Sequence, residues 1–396
     1  MARSKTAASS RRRTAASAAG PAVPAPVPGC VRHPAGQAPQ VLILHHQARA
    51  HPGVQLSNYA LQQQLRACGA RPLTLNWSPA YARTLGLQFS AAHENFHDPG
   101  LELTPPCYSD EEIAAYAASC THVLIGAGAV FENRLPTDPT WPLLRYCGDF
   151  VRDDQVLCAY AARFGRGLLH ATQRLREEAA QLLRRFDRIT LSDGRELQVL
   201  EDLTGRSAEL VPDPVFMPEA AQWLRLADTA AADPPARPYA VCMCRQSPFR
   251  PAADLSGALG ALTVVALDWQ AQTANQPLGV AEWLALIARA ELVVSDDYYC
   301  LALSLILGRP CAALMADEDA ARVQALFTEL GLEQLLLRDV RELTAGRLQG
   351  RPDMAQCSQG LLELRARGRA CLQELLALQP APRSAYALPA DVARAR

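Results

Sequence analysis

Two adjacent carboxylates, Asp296 and Asp297, follow the apolar run Leu292-Val293-Val294-Ser295. A short apolar run closing on polar residues is how a buried parallel strand ends, and open α/β sheets hold their ligands at the carboxyl ends of such strands. There the pair could accept hydrogen bonds from the hydroxyls of a ribose or a sugar. Asp297 has a second reading, as the N-cap of a helix running from Leu301. Gly126-Ala127-Gly128 follows another apolar run. Its backbone N–H groups could cradle an anion, or its small residues could simply allow a tight turn. Arg163 and Arg166 flank Gly165 and could bind phosphate or stay solvated. Asp213 stands between two prolines, as a ligand or as the fixed exit of a domain. His45-His46 follows the first apolar run, as a binding pair or as plain loop residues. His93 and His97 have the spacing of a helical metal pair, but Asn95, Asp98 and Pro99 spoil the helix and no third ligand is near, so no metal is expected.

These residues need elements to position them, and the chain alternates strand and helix. Val41 to Leu44 reads as a buried strand, followed by a helix carrying Asn58, Leu61 and Leu65 that ends at Gly69. Further strands are expected at 72–75, 122–125, 156–161 and 189–191, with helices from Asp110 and over 174–186. A second series begins at 239–243 and 262–267, then a helix over 280–290, strands at 292–295 and 311–314, and helices over 301–307, 317–330 and about 353–378. Such alternation argues an α/β fold of two doubly wound parallel-sheet domains facing a cleft. The expected division is a disordered Ala/Pro/Arg-rich tail over 1–37, a first domain over 38–228, a linker over 229–237, a second domain with the final helix over 238–378, and a tail over 379–396.

Composition narrows the chemistry. With 49% hydrophobic and 20% charged residues among 396, and net charge −1, the chain is globular and no nucleic-acid binder. Its first acid is Glu94, after ten basic residues, several of them in the tail, so the basic start is only a weak hint of an anionic ligand. Lys5 is the only lysine, which removes Schiff-base and P-loop lysine chemistry. The 12 cysteines are scattered, the nearest pair being Cys242 and Cys244, so a reduced, cytoplasmic protein without a zinc framework is expected. No apolar run is long enough for a membrane span, and the N-terminal segment has no signal-peptide core.

Five stretches, in order, resemble polysaccharide pyruvyl transferases. They are Gly53 through Gln62; His122 through Phe131; Tyr160-Ala161-Ala162-Arg163-Phe164-Gly165; Phe186 to Leu191 followed by Pro212-Asp213-Pro214-Val215-Phe216; and Glu282-Trp283-Leu284 with Leu292 through Cys300 and Ser304. The resemblance spans about 41–378. It implies a fold similar to GT-B glycosyltransferases and a place in cell-envelope polysaccharide biosynthesis. The implied reaction forms a pyruvyl ketal on a sugar or glycan acceptor, with phosphoenolpyruvate as donor substrate and no metal or cofactor. That reaction needs a proton donor for the enol carbon and a cationic clamp for the phosphate. Carried over residue by residue, Tyr299 stands where the family has a histidine, beside Asp296 and Asp297. Arg163 stands where it has a serine, and Ser192 where it has an arginine, with Arg195 three positions on. The implied substrate-binding set is Gly126, Gly128, Arg163, Arg166, Ser192, Arg195 and Asp213. Two other readings remain open: a GT-B-like glycosyltransferase with a nucleotide-sugar donor, and a non-catalytic glycan-binding descendant. Oligomeric state is left open.

Overall fold

The computed structural model describes residues 38–45, 52–77, 101–107, 109–132, 143–165, 167–168, 171–231, 235, 238–244, 262–267, 278–315, 320–339, 342–343 and 354–381. The 1–37 tail, most of the 379–396 tail, and His46, His93, His97 and Arg166 lie outside these residues.

The first sheet holds β1 (Gln40–Leu44), β2 (Arg71–Thr74), β3 (His122–Ile125), β4 (Val156–Ala162), β5 (Arg188–Leu191) and β6 (Glu209–Leu210), in the order β2-β1-β3-β4-β5-β6. The second holds β7 (Tyr239–Met243), β8 (Thr263–Ala266), β9 (Leu292–Ser295), β10 (Cys311–Leu314) and β11 (Leu336–Leu337), in the order β11-β10-β9-β7-β8. Every pairing is parallel. Side chains alternate between two cores: Leu42 and Leu44 of β1 face one, Val41 and Ile43 the other. In β9, Val293 and Val294 divide the same way. This is why the strands read as continuous apolar runs: a sheet covered on both faces has no wet side. The fold is therefore α/β with two doubly wound parallel-sheet domains. Strand order reverses between β1 and β3, and again between β7 and β9, so each sheet has one crevice at its carboxyl edge.

The helices are α1 (Pro52–Ala67), α2 (Asp110–Ala118), α3 (Leu143–Tyr146), α4 (Gln173–Arg184), α5 (Leu197–Thr204), α6 (Ala220–Ala227), α7 (Val280–Arg289), α8 (Tyr298–Ile306), α9 (Ala320–Glu329) and α10 (Met354–Ala377). Local chemistry sets their ends. Pro52 opens α1, where its missing N–H costs nothing, and Ser109 with Glu112 forms a capping box on α2. The first helix begins several residues before Asn58, and its Val54 and Leu56 pack into the core of the second sheet.

Two helices pack across the two sheets. Trp223 and Leu226 of α6 pack in one core with Tyr239, Val241 and Trp283. The final helix is shared: Cys371, Leu372 and Leu375 pack with Val41, Ile43 and Tyr160 of the first sheet, while Leu364 joins the second core. A 24-residue helix is long enough to reach both. Among the described residues no helix is long and apolar enough to cross a membrane.

Candidate functional site

The densest buried polar cluster at the seam centres on Asp213, fully buried at the head of the 3-10 turn Pro214–Phe216. Its Oδ1 accepts from the Ser57 hydroxyl of α1 at 2.8 Å and from the Val215 N–H at 3.1 Å. Its Oδ2 accepts from the Tyr299 hydroxyl of α8 at 3.1 Å and from the Arg322 guanidinium of α9 at 2.9 Å. Arg322 is only 4% exposed and also lies over the Tyr298 ring, 3.2 Å from its centroid. Tyr299 packs so closely on α1 that a Cβ at Gly53 would fall 2.2 Å from its own Cβ. That position tolerates only glycine. Val54, Leu56 and Ala60 of α1 meanwhile share a core with α7 and α8. The two sheets are thus fastened through one carboxylate and one apolar patch, in addition to the shared helix α10.

Burial comes first in raising the Tyr299 hydroxyl well above an ordinary phenol, and the Asp213 charge adds to it, against Arg322 and Arg163. Burial likewise pushes Tyr298 up to about 12, with Arg322 opposing. Beside the cluster is a cavity of about 120 Å³, lined among others by Ser192, Asp193, Asp213, Tyr298, Arg322 and Arg367.

The first-sheet wall is built just past β5. Asp193 caps the 3-10 turn Gly194–Glu196 and accepts both arms of Arg195, at 3.0 and 2.5 Å. Burial works against the Asp193 charge, but the Arg195 hydrogen bonds outweigh it and hold the carboxyl low. Glu196, three residues on, accepts from the Phe164 N–H at 2.8 Å and the Gly165 N–H at 2.9 Å, pinning the loop after β4. Burial above all, with Asp193 adding to it, pushes Glu196 up against the pull of those bonds and Arg163, and the carboxyl comes to rest at about 7. Nothing in the sequence marks Glu196. Its role depends on a turn that brings it under a loop some thirty residues earlier.

The expected residues divide. Ser192 and Asp213 share the cavity, Tyr299 bonds to Asp213, and the Arg163 charge acts on Asp193, Glu196, Tyr298 and Tyr299. Arg195 is turned onto Asp193 and leaves its side chain 58% exposed. Of the two readings of Gly126-Ala127-Gly128, the hydrogen bonds of the two glycines bear on the tight turn. The Gly126 N–H donates to the Leu44 carbonyl at 3.1 Å, and the Gly128 N–H to the Ala161 carbonyl at 3.2 Å. Gly126 is needed because a Cβ there would lie 2.0 Å from the Tyr160 carbonyl oxygen. Gly128 adopts φ 90°, a conformation that favours glycine. Asp297 takes its capping alternative, accepting from the Cys300 N–H at 2.8 Å. Asp296 is buried beyond β9, next to the β7/β9 crevice, with its N–H on the Met243 carbonyl. Among the described residues, no group of three His, Cys, Asp or Glu side chains could hold a metal ion.

Neither a protein-family model nor a curated protein matches the sequence. Solved structures similar to the chain include the glycosyltransferase SnogD from Streptomyces nogalater, at 14% identity and TM-score 0.39, covering 86% of this chain and 99% of that one. UDP-GlcNAc 2-epimerase from Neisseria meningitidis, bound to UDP-GlcNAc, is similar at 11% identity and TM-score 0.48, covering 85% and 99%. ADP-heptose lps heptosyltransferase II from E. coli is similar at 14% identity and TM-score 0.36, covering 82% and 99%. At these values the function has to be reasoned from the residues of the site.

Proposed function

We propose that the chain is a transferase that takes a nucleotide-sugar donor and passes its sugar to a sugar or glycan acceptor, and that it does not form pyruvyl ketals through Tyr299. The observation that carries this reading is the seating of Tyr299. Its hydroxyl is already given to Asp213, its ring is wedged on α1, and its proton is held far more tightly than that of a free phenol. Protonating the enol carbon of phosphoenolpyruvate near neutral pH calls for an acid that releases its proton readily, and this group is the opposite. Asp297 is likewise committed to its helix.

The nucleotide-sugar reading draws on where the fold places Asp296 and Arg163. The β7/β9 crevice is the ligand position of a doubly wound sheet, and Asp296 is buried beside it at the end of β9. Glycosyl transfer further requires a cation near the departing diphosphate. Arg163, across the seam, already influences the charges around the cavity.

A thermal-shift and calorimetric panel tests this directly. Nucleotide sugars of differing base are expected to raise the melting temperature, and Asp296→Asn to weaken the shift. Phosphoenolpyruvate is expected to do neither. Phosphate release from phosphoenolpyruvate with hexoside acceptors would restore the pyruvyl reading. Binding of glycans alone, with every donor silent, would favour the non-catalytic one.

A further inference from the structure

Cys242 and Cys244 sit at the carboxyl end of β7, beside the second-sheet crevice, and have no part in the function proposed above. Their Sγ atoms are 3.7 Å apart. Cys242 is buried in the strand, while Cys244, one step past its end, is partly exposed. The residue between them is tied to the neighbouring strand. The Met243 carbonyl accepts from the Ser295 hydroxyl at 2.6 Å and from the Asp296 N–H at 3.3 Å. Ser295 Oγ in turn accepts the N–H of Asp297, the cap of α8, at 3.0 Å. From there α8 carries Tyr299 to Asp213.

We propose that Cys242 and Cys244 are a reversible redox site, closing to an intramolecular disulfide when they meet a small disulfide oxidant such as oxidised glutathione. The exposed Cys244 thiolate attacks one glutathione sulfur, forms a mixed disulfide and expels the first glutathione thiolate. The Cys242 thiolate then attacks the Cys244 sulfur and expels the second. Two thiol protons are lost, and two electrons pass to the oxidant. The order follows from access: its hydrogen bond with Cys244, and then burial, hold the Cys242 proton tightly until the neighbouring sulfur is activated.

Residues two apart in an extended strand have Cα atoms about 6.6 Å apart, near the upper limit for a disulfide, so closure must bend the chain at Met243. A bridge under such strain is readily reduced, which makes it reversible. The bend falls on the two hydrogen bonds that Met243 accepts, and so on the seat of Asp296 and the start of α8.

The test uses the full chain exposed to oxidised glutathione, then alkylated and digested with trypsin. Residues 226–245 form one fragment that contains these two cysteines and no other, since cleavage before Pro238 does not occur. This fragment is expected to be lighter by two hydrogens, to resist alkylation, and to revert with dithiothreitol. Cys244→Ser should abolish the change. The oxidised wild-type protein should melt below the reduced one, with Cys244→Ser indifferent to oxidant. Two alkylated thiols, a stable glutathione adduct without a bridge, or pairing of either residue with another cysteine would each overturn the assignment. A bridge that leaves the melting temperature unchanged would overturn its coupling to Ser295 and α8.

Discussion

Asp213 and Glu196 are both buried carboxyl groups near the seam, 0% and 7% exposed, yet the chain compensates them very differently. Asp213 collects two hydroxyls, one backbone N–H and a full guanidinium charge. Glu196 collects two backbone N–H groups, faces Asp193 nearby, and is pushed up to about 7. Burial alone therefore does not decide what a carboxyl becomes. The donors that replace water do. Asp213 is a fixed strut between domains, whereas Glu196 is a group poised to change charge in the neutral range.

The largest effect should come from breaking the strut. Asp213→Ala leaves the Arg322 charge buried without its counter-charge and strands two hydroxyls. Removing one partner of a buried pair typically costs about 3–5 kcal/mol, and a loss of that size is expected in denaturant unfolding. Asp213→Asn, which keeps the shape and one acceptor oxygen, should lose clearly less. A loss below about 1 kcal/mol for the alanine variant would mean that apolar packing, the patch on α1 together with α10, joins the sheets and that the contrast with Glu196 is unfounded.

Glu196 should show itself in the pH dependence. Its carboxyl is pushed up to about 7 when folded, against about 4.5 for a free glutamate side chain, so between these values the folded state keeps a proton that the unfolded chain has released. Stability therefore falls as pH rises from about 4.5 to 7 and is level above that, by something on the order of 3 kcal/mol. Glu196→Gln should flatten the slope across this window in pH-resolved unfolding, while leaving the Asp213 cluster in place. A slope unchanged in the variant would assign the titration to another group.

The sheets were legible in the sequence because strands covered on both faces are continuous apolar runs, and those runs dominate 41–44, 122–125, 156–161 and 292–295. The two-residue edge strands β6 and β11 were not, since nothing in two residues distinguishes a strand from a loop. Asp213 stood out by its flanking prolines, and Tyr299 through the family resemblance. Arg322 did not, because it is one arginine among 38 and only the tertiary packing places it against Asp213. The shared final helix escaped for the same reason: an amphipathic pattern shows that a face is buried, not which sheet buries it.

The smallest expected effect is the most discriminating about how Asp213 is held. Tyr299→Phe removes one hydroxyl and keeps the ring, so the packing on Gly53 and against Tyr298 survives. A hydrogen bond to a charged acceptor is worth about 1.5–3 kcal/mol when its loss leaves that acceptor wanting. Here the carboxylate retains Ser57, Val215 and Arg322, and Oδ2 still has the guanidinium. The loss should therefore fall to about 1 kcal/mol, well below that of Asp213→Ala. Adding Ser57→Ala to Tyr299→Phe strips both hydroxyls, and the loss of the double variant should exceed the sum of the two single losses, because each oxygen would depend on a single one of the donors named. Strict additivity in that double-mutant cycle would mean that the hydroxyls act independently and that Arg322 alone neutralises the strut. A single-variant loss as large as that of Asp213→Ala would instead identify Tyr299 as the main fastening between the domains.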